Sequence, residues 1–211
     1  MPIRKADLLA WLEALHTAYA ENRERLTDLD AAIGDADHGI NMDRGFAAVK
    51  TELAASPPDI PSILQMVAGV LIRKVGGAAG PLYGTFFLRA GAACNGKTEL
   101  NAADLVAFFE AGIEGIRHRG KAEAGDKTML DALLPAAAAM RNSLAEGGGI
   151  ADILAAGVAG AEAGMLATVP MQARKGRASY LGARSVGHQD PGATSAWILL
   201  QTAANTWRSG S

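Results

Sequence analysis

The sequence predicts an all-α protein, and three observations support that fold class. Hydrophobic residues make up 49% of the 211 residues, whereas aromatic residues make up only 5%, and alanine is abundant. Alanine is the best helix former, while β-strands favour β-branched and aromatic residues. Apolar residues recur at helical spacing, and no window shows the sustained alternation that is typical of a strand. We therefore expect a single helical domain over residues 1–211, without strands.

The apolar periodicity predicts eight helices. Their expected ranges are 5–27, 40–54, 61–74, 81–94, 102–119, 128–145, 150–167 and 192–207. Three of them carry clear buried stripes, namely Leu8, Trp11, Leu12, Leu15 and Tyr19; Ile63, Met66, Val67, Val70 and Leu71; and Leu105, Phe108, Phe109, Ile113 and Ile116. Asp59 and Asn101 are expected to cap the third and fifth helices, because aspartate and asparagine favour the position before a first helical turn.

The composition excludes several classes of function. Twenty basic and 22 acidic residues give a net charge of −2, so no global charge favours a nucleic acid or a membrane as partner. No stretch approaches the roughly 20 apolar residues of a membrane span. In the seventh predicted helix, Gly157, Gly160 and Gly164 accompany Glu162 and therefore indicate close packing in a soluble bundle. The single cysteine, Cys94, indicates a reducing compartment, and the first residues do not resemble a signal peptide, so we expect a cytoplasmic location.

The connections between helices carry most of the functional signal. Two are predicted to be simple turns, at Ser56–Pro58 and Glu146–Gly149. Four others concentrate glycine with charged or hydroxyl residues, and each precedes a helix: Asp30–Asn41, Val75–Gly84, Gly120–Lys127 and Ala173–Gly192. Helix N-termini present free N–H groups and positive dipole ends. Alternate loops of an up-and-down bundle lie at one end, so these four loops together would suit an anion.

Asp30, Asp35 and Asp37 are the candidate metal ligands. Three carboxylates within eight positions repel one another unless a cation neutralises them, and hard oxygen ligands suit magnesium or calcium. A calcium-binding helical hand is excluded, because the twelfth residue counted from Asp30 or from Asp35 is Asn41 or Phe46 rather than glutamate. The alternative that these aspartates are only helix caps and turn formers stays open.

The other loops allow two interpretations each. The segment 75–85 has four glycines, which suits either a phosphate-binding backbone or a tight turn. Residues 115–121 are not a phosphate loop, since Ala122 follows where serine or threonine is required, and Asp126 is expected to cap the next helix. The basic segment 171–182 is either a solvated charge run or a source of arginine for a phosphoryl group. Ser185, His188 and Asp190 lack a nucleophile elbow and do not indicate a hydrolase triad.

Taken together, five segments resemble the ADP-binding L subunits of dihydroxyacetone kinases. They are GDADHG with the upstream Asp30, GGAAGPLYGTFF, RGKAEAGDKTM, MQARKGRASYLGARS and GHQDPGATS. The resemblance extends from Trp11 to Thr194. It implies an eight-helix antiparallel up-and-down barrel with a nucleotide bound at one end.

The resemblance also implies roles for individual residues. Asp30, Asp35 and Asp37 match carboxylates that hold two magnesium ions against the phosphates of ADP or ATP. Residues that match nucleotide contacts are His38, Gly39, Ile40, Asn41, Ala78, Ala79, Gly120, Met129, Arg177, Asp190, Pro191 and Gly192. Arg177 is the candidate catalytic residue, since it could neutralise charge on the transferred phosphoryl group. Ala79 departs from the family pattern, which often has serine there, so a backbone N–H or water must replace any hydroxyl contact.

The family's partners follow from the same resemblance. A phosphohistidine on the M subunit of the phosphotransferase system recharges bound ADP to ATP, and the phosphoryl group passes to dihydroxyacetone on a separate K subunit. Alternatives are a kinase subunit for another ketose such as erythrulose, or an ADP-loaded protein that binds a transcription regulator. A homodimer is also compatible with the sequence. Nucleic-acid binding through Arg174, Lys175, Arg177 and Arg184 is disfavoured by the acidic balance of the chain.

Overall fold

The computed structural model describes residues 1–54 and 57–207, and within them it confirms the all-α fold class. The described residues form nine α-helices: α1 Lys5–Glu21, α2 Arg23–Ile33, α3 His38–Leu53, α4 Ile60–Lys74, α5 Ala79–Ala93, α6 Ala102–Gly120, α7 Met129–Ala145, α8 Ile150–Ala167 and α9 Pro191–Trp207. A 3-10 helix at Arg177–Ser185 adds a shorter element, interrupted at Gly182, whose φ is +55°. The expectation of no strands is wrong in detail. β1 (Ile3–Arg4) pairs antiparallel with β2 (Glu99–Leu100), too short to show alternation in the sequence.

The prediction of eight helices is wrong at the N-terminus, because the range 5–27 breaks at Asn22. The Asn22 side chain donates to the carbonyl of Ala18 at 2.9 Å, and the Asn22 carbonyl accepts from Leu26 in the new helix. Asparagine side chains compete in this way for backbone partners. The helix that follows, α2, continues to Ile33, so Asp30 lies on its last turn and not in a loop as predicted.

The predicted helix caps are confirmed at two positions and wrong at a third. The Asp59 carboxylate accepts from the N–H of Ser62 at 2.8 Å, and Asn101 exchanges hydrogen bonds with Asp104. At the start of α7, however, Thr128 and not Asp126 is the cap. The Thr128 hydroxyl accepts from Leu130, and the Asp131 carboxylate accepts from the N–H of Thr128 at 2.7 Å. Thr128 and Asp131 thus form a capping box. The Asp126 carboxylate instead accepts from the N–H of Glu123 in the turn before α7.

An aromatic cluster forms the centre of the core. Trp11 lies 4.8 Å from Trp207 and 5.8 Å from Phe87, measured between ring centroids, and Phe86 and Phe108 extend the cluster. The three predicted apolar stripes are buried, apart from a partly exposed Met66. Burial of large apolar side chains is the dominant favourable term in folding, so this cluster anchors the helices that carry the loops.

Helix α8 is packed tightly against α7, which confirms the interpretation of its glycines. A Cβ atom added at Gly160 or Gly164 would overlap the backbone of Pro135 or Asp131, and one at Gly157 would overlap Met140. By length and composition α8 is also the single helix of the described residues that could cross a membrane, with a mean hydropathy of 1.5. The core helix of a soluble protein passes the same test, so this is weak evidence for a membrane span.

The arrangement of neighbouring helices brings one set of helix N-termini together. Consecutive helices from α3 to α9 pack side by side, and α1 contacts both α3 and α9. The residues at the starts of α3, α5, α7 and α9 all line one cleft. The predicted turn at Glu146–Gly149 is confirmed between α7 and α8, whereas the turn predicted at Ser56–Pro58 begins at a residue outside the described ranges.

Candidate functional site

Three carboxylates converge where α2 ends and α3 begins. Asp30 is buried on the last turn of α2, and Asp35 and Asp37 follow in the connection to α3. One ligand oxygen from each of the three lies within 4.8 Å of the other two. Hard oxygen donors grouped in this way are the ligands that magnesium and calcium prefer, so the donor set fits a divalent cation.

The backbone of this connection is shaped around Asp30. Its Oδ2 accepts the backbone N–H groups of Asp37 at 2.9 Å and His38 at 3.1 Å. A Cβ atom at Gly34 would overlap the other oxygen, Oδ1, so this position has room only for hydrogen. Ala36 adopts a φ of +60°, which is uncommon for a residue with a side chain. Asp30 is therefore a turn former as well as a member of the cluster, and the two roles use the same side chain.

An arginine from a distant part of the chain reaches the carboxylate cluster. The guanidinium of Arg177, at the start of the 3-10 helix, lies 3.1 Å from Oδ2 of Asp35. Both side chains are partly exposed, so water screens the pair. The contact shows that the basic segment 171–182 folds over the site and is not simply a solvated charge run.

The cluster lies in a cleft of about 190 Å³ to which four helix N-termini contribute. The residues at these N-termini that line the cleft are Asp37 and His38 at α3, Ala78 and Ala79 at α5, Thr128 and Met129 at α7, and Asp190 and Pro191 at α9. A helix N-terminus has a positive dipole end, which favours an anion, although the Asp30 carboxylate already accepts the first N–H groups of α3. The predicted gathering of the four loops is thus confirmed, and the cleft offers both cation ligands and anion donors.

A second, less polar cleft of about 420 Å³ adjoins the first. The two share Ala78, Leu82, Thr128, Met129, Lys175 and Gly176. Its own walls include Pro81, Ile116, Gly120 and Ala122. Small-molecule sites combine an apolar cavity with a few placed polar groups. Here the first cleft supplies most of the charged and polar groups, and the second extends it with a less polar wall.

Buried polar side chains connect the cleft to α9 and to the core. The His38 ring and the Tyr83 hydroxyl share Oγ of Ser195, at 2.9 and 2.7 Å. Burial lowers the pKa of His38, against the opposing effect of the carboxylates of Asp30 and Asp37. Burial also raises the pKa of Asp190 to about 7, although the N–H of Ala193 favours its charged form. The lowered pKa favours the neutral form of the His38 ring at the edge of the site.

The comparisons with known proteins agree with this geometry. The model of the DAK2 domain matches residues 32–205. This chain belongs to the DAK2-domain family. The "PEP-dependent dihydroxyacetone kinase, ADP-binding subunit DhaL" of Escherichia coli (strain K12) is 44% identical over 97% of this chain and 98% of its own length. The "PTS-dependent dihydroxyacetone kinase, ADP-binding subunit DhaL" of Lactococcus lactis is 42% identical over 92% of this chain and 93% of its own. These full-length DAK2 relatives are subunits of a kinase, an enzyme that transfers a phosphoryl group.

A solved structure supports the DAK2 fold. The dihydroxyacetone kinase from C. freundii, in complex with AMP-PNP and Mg²⁺, matches with a TM-score of 0.72 over 97% of this chain. The chain spans about a third of that enzyme, 34% of its length, at 23% sequence identity. At this identity the likeness establishes the shared fold of the DAK2 domain and no more.

Most of the predicted site residues of this DAK2 domain meet in the two clefts. Twelve of the candidates line the first, namely Asp30, Asp35, Asp37, His38, Asn41, Ala78, Ala79, Met129, Arg177, Asp190, Pro191 and Gly192. Gly120 lines the second. Gly39 and Ile40 lie outside the described lining of both. Gly39 packs against α2, where a Cβ atom would overlap the carbonyl of Arg23, and Ile40 is 40% exposed.

One prominent residue of the DAK2 site escaped prediction from the sequence. Lys127, which contributes to the lining of the first cleft, is 1% exposed, and its ammonium donates to three backbone carbonyls of the segment 171–188. A lysine is almost never fully buried without partners. Its sequence neighbours, Asp126 and Thr128, indicated only a helix start, and no local pattern reveals that carbonyls over forty positions away surround it.

Proposed function

We propose that this chain is the nucleotide-binding subunit of a dihydroxyacetone kinase. It would transfer a phosphoryl group from bound ATP to dihydroxyacetone on a separate K subunit. A phosphohistidine on the M subunit of the phosphotransferase system would regenerate that ATP from ADP. The observation that carries the proposal is the convergence of three carboxylates within 4.8 Å at a cleft formed by four helix N-termini. Similarity to L subunits over nearly their whole length supports the choice of reaction.

The proposed division of the site follows its chemistry. Asp30, Asp35 and Asp37 would hold two magnesium ions, which supply positive charge that bridges the phosphates and offsets charge developing during transfer. Backbone N–H groups at the starts of α3, α5 and α9 would take the remaining phosphate oxygens. At Ala79 the N–H or a water would stand in for the serine hydroxyl that many family members have. The less polar second cleft, with Gly120 and Met129, would take the base.

Arg177 is assigned the role of catalytic residue. Its guanidinium is at the carboxylate cluster, and its partner Asp35 is one of the proposed metal ligands. With the metal bound, Asp35 would be engaged by the cation, and the guanidinium would be free to contact a phosphoryl oxygen. Arginine is suited to this because its planar fork of donors matches phosphate oxygens. In-line transfer gains most from charge stabilisation of this kind.

The metal assignment is tested by one pair of charge-matched variants. Asp35→Asn removes the charge of a proposed ligand and leaves the Asp30 carboxylate, which accepts the backbone N–H groups of the connection, in place. Asp28→Asn makes the same charge change at an exposed position of α2 outside the carboxylate cluster. Calorimetric titration with MgADP should show affinity reduced by roughly 100-fold for the first variant, since a lost ligand weakens a metal site strongly. The control should bind within about twofold of the native protein. Equal affinities of Asp35→Asn and the native protein would contradict the assignment.

The other roles suggested by the resemblance stay predictions. They are action on a different ketose, binding of a transcription regulator in the ADP-loaded form, a homodimer and a cytoplasmic location. An assay of the complete complex with several ketoses, and capture of a regulator with and without phosphodonor, would test the first two.

A further inference from the structure

Lys127 joins the start of α7 to the segment 171–188, and both border the first cleft. It directly precedes Thr128, the cap of α7, and adopts a left-handed φ of +61°. Its side chain is fully buried, and its ammonium donates to the carbonyls of Met171 at 3.0 Å, Ser185 at 2.6 Å and His188 at 2.6 Å. An ammonium has three N–H donors, so these carbonyls use all of them.

The three carbonyls belong to the segment 171–188, which has little regular structure of its own. Besides the interrupted 3-10 helix, the segment is held by isolated hydrogen bonds and by a small apolar cluster in which Ala173 and Ala178 pack against Ile33. The Ser185 hydroxyl accepts from the N–H of Ala173 at 2.9 Å, and the N–H of Gly187 donates to the carbonyl of Val169 at 2.8 Å. Met171 lies at the start of the segment and His188 at its end, so the Lys127 ammonium binds both ends of the segment at once.

The same segment carries side chains into the cleft. Lys175, Gly176 and Arg177 line it, and Arg177 reaches Asp35. The N–H of Arg174 also donates to the carbonyl of Asp126, beside Lys127, at 3.0 Å. The base of the segment is therefore tied to the start of α7, while its tip lies over the carboxylates.

We propose that Lys127 is a positioning residue whose ammonium closes the segment 171–188 over the site and so places Arg177 at the carboxylate cluster. It is not a phosphate ligand, because its three donors are directed at carbonyls. Without the ammonium, three partly or fully buried carbonyls would lose a charge-assisted partner, and a buried acceptor without a partner is costly. The segment would then open more often, since the hydrogen bonds that remain at its base are isolated.

The first test needs no nucleotide and does not depend on the proposed function. Lys127→Met keeps the length and the apolar stem but removes the three donors. Lys121→Met is the matched control. Like Lys127, Lys121 has a positive φ, +48°, but its side chain is exposed. Hydrogen exchange followed by mass spectrometry should show amides of 171–188 exchanging about tenfold faster or more in Lys127→Met alone, with helices α4 to α6 unchanged. Exchange of 171–188 at the native rate in a folded Lys127→Met protein would overturn the proposal.

A second variant covers the case in which Lys127→Met does not fold. Ser185→Ala removes the hydroxyl that accepts from Ala173 and leaves the charge in place. It should accelerate exchange in the same segment, by a smaller factor of about threefold. Acceleration spread equally over the whole protein, with none confined to 171–188, would contradict the idea of a locally held segment.

The second test rests on the proposed function and asks whether Lys127 acts through Arg177. In the complete kinase complex, Lys127→Met should lower kcat by about tenfold or more while changing the KM for dihydroxyacetone little. In an Arg177→Ala background the same change should lower kcat by less than about twofold, because the group that Lys127 positions is already gone. Full additivity of the two changes would refute the positioning role. If no variant or native complex shows kinase activity, the proposed function fails, and the exchange experiment still decides whether Lys127 holds the segment.

Discussion

Replacement of Arg177 by alanine should strengthen the binding of a divalent cation when no nucleotide is present. In the structure the guanidinium of Arg177 lies 3.1 Å from Asp35, with the two side chains 68% and 35% exposed. A cation that takes Asp35 as a ligand must displace or repel this positive group. Exposed ion pairs are worth about 0.2–1 kcal/mol, so the gain in affinity should lie between about 1.4-fold and fivefold.

Electron paramagnetic resonance with Mn²⁺, which reports free ion directly, would measure this gain in nucleotide-free protein. Lys175→Ala is the matched control, because Lys175 lines the same cleft and carries the same charge, while the ion pair with Asp35 belongs to Arg177. The control should change Mn²⁺ affinity less than Arg177→Ala does. Arg177→Ala should thus improve metal binding in the absence of nucleotide but impair the reaction. With MgATP bound, it should lower the rate of phosphoryl transfer by roughly 100-fold or more. Mn²⁺ affinity that falls in Arg177→Ala, or rises equally in both variants, would refute the reasoning.

Three further predictions concern packing, pH and cysteine reactivity. Gly164→Ala should lower the free energy of unfolding by about 1–3 kcal/mol, because its Cβ would overlap the backbone of Asp131. Gly149→Ala has room for the Cβ atom and should cost less than about 1 kcal/mol, the effect of a weaker N-cap; equal losses in urea titrations would contradict the packing. Burial raises the pKa of Asp190 from 3.8 to about 7, so the folded, metal-free protein holds a proton that the unfolded chain releases, and stability should fall as pH rises from about 4 to about 7. Asp190→Asn should flatten that slope, and an unchanged slope would assign it to other groups. Cys94 is buried with its pKa raised to about 11, so iodoacetamide should leave it unmodified in the native protein at pH 8 and modify it in urea, and rapid native labelling would count against the core.

Helical periodicity made the fold class and most helix bounds predictable, because each helix buries an apolar stripe that leaves a local signature. The break at Asn22 was not predictable in this way, since the stripe of α1 and the residues of α2 continue at compatible spacing across it. The capping box at Thr128 was present in the sequence as Thr-x-x-Asp, but Asp126, two positions earlier, is an equally suitable residue type for a cap. The short β-pair depends on a contact between positions far apart, Ile3 with Leu100, for which two residues carry no pattern.

The carboxylate cluster was predictable as a candidate because its members lie within eight positions, whereas their convergence also depends on the backbone N–H groups of Asp37 and His38 that fold onto Asp30. Its relation to Arg177 and Lys127 was not. Arg177 was a candidate through family resemblance, and neither its ion pair with Asp35 nor the burial of Lys127 has a local signal. For Gly39 the structure gives a separate reason for the glycine, its close packing on α2, and the nucleotide contact that the resemblance implies stays a prediction.

Native mass spectrometry of the purified protein, incubated with MgADP, tests the central claim most directly. We expect a dominant species whose mass exceeds that of the chain by one ADP and two magnesium ions, and loss of the metal and nucleotide together in Asp35→Asn. A protein that stays at the mass of the bare chain under these conditions, or a variant that retains the full load, would contradict the claim that these carboxylates hold a nucleotide through divalent cations.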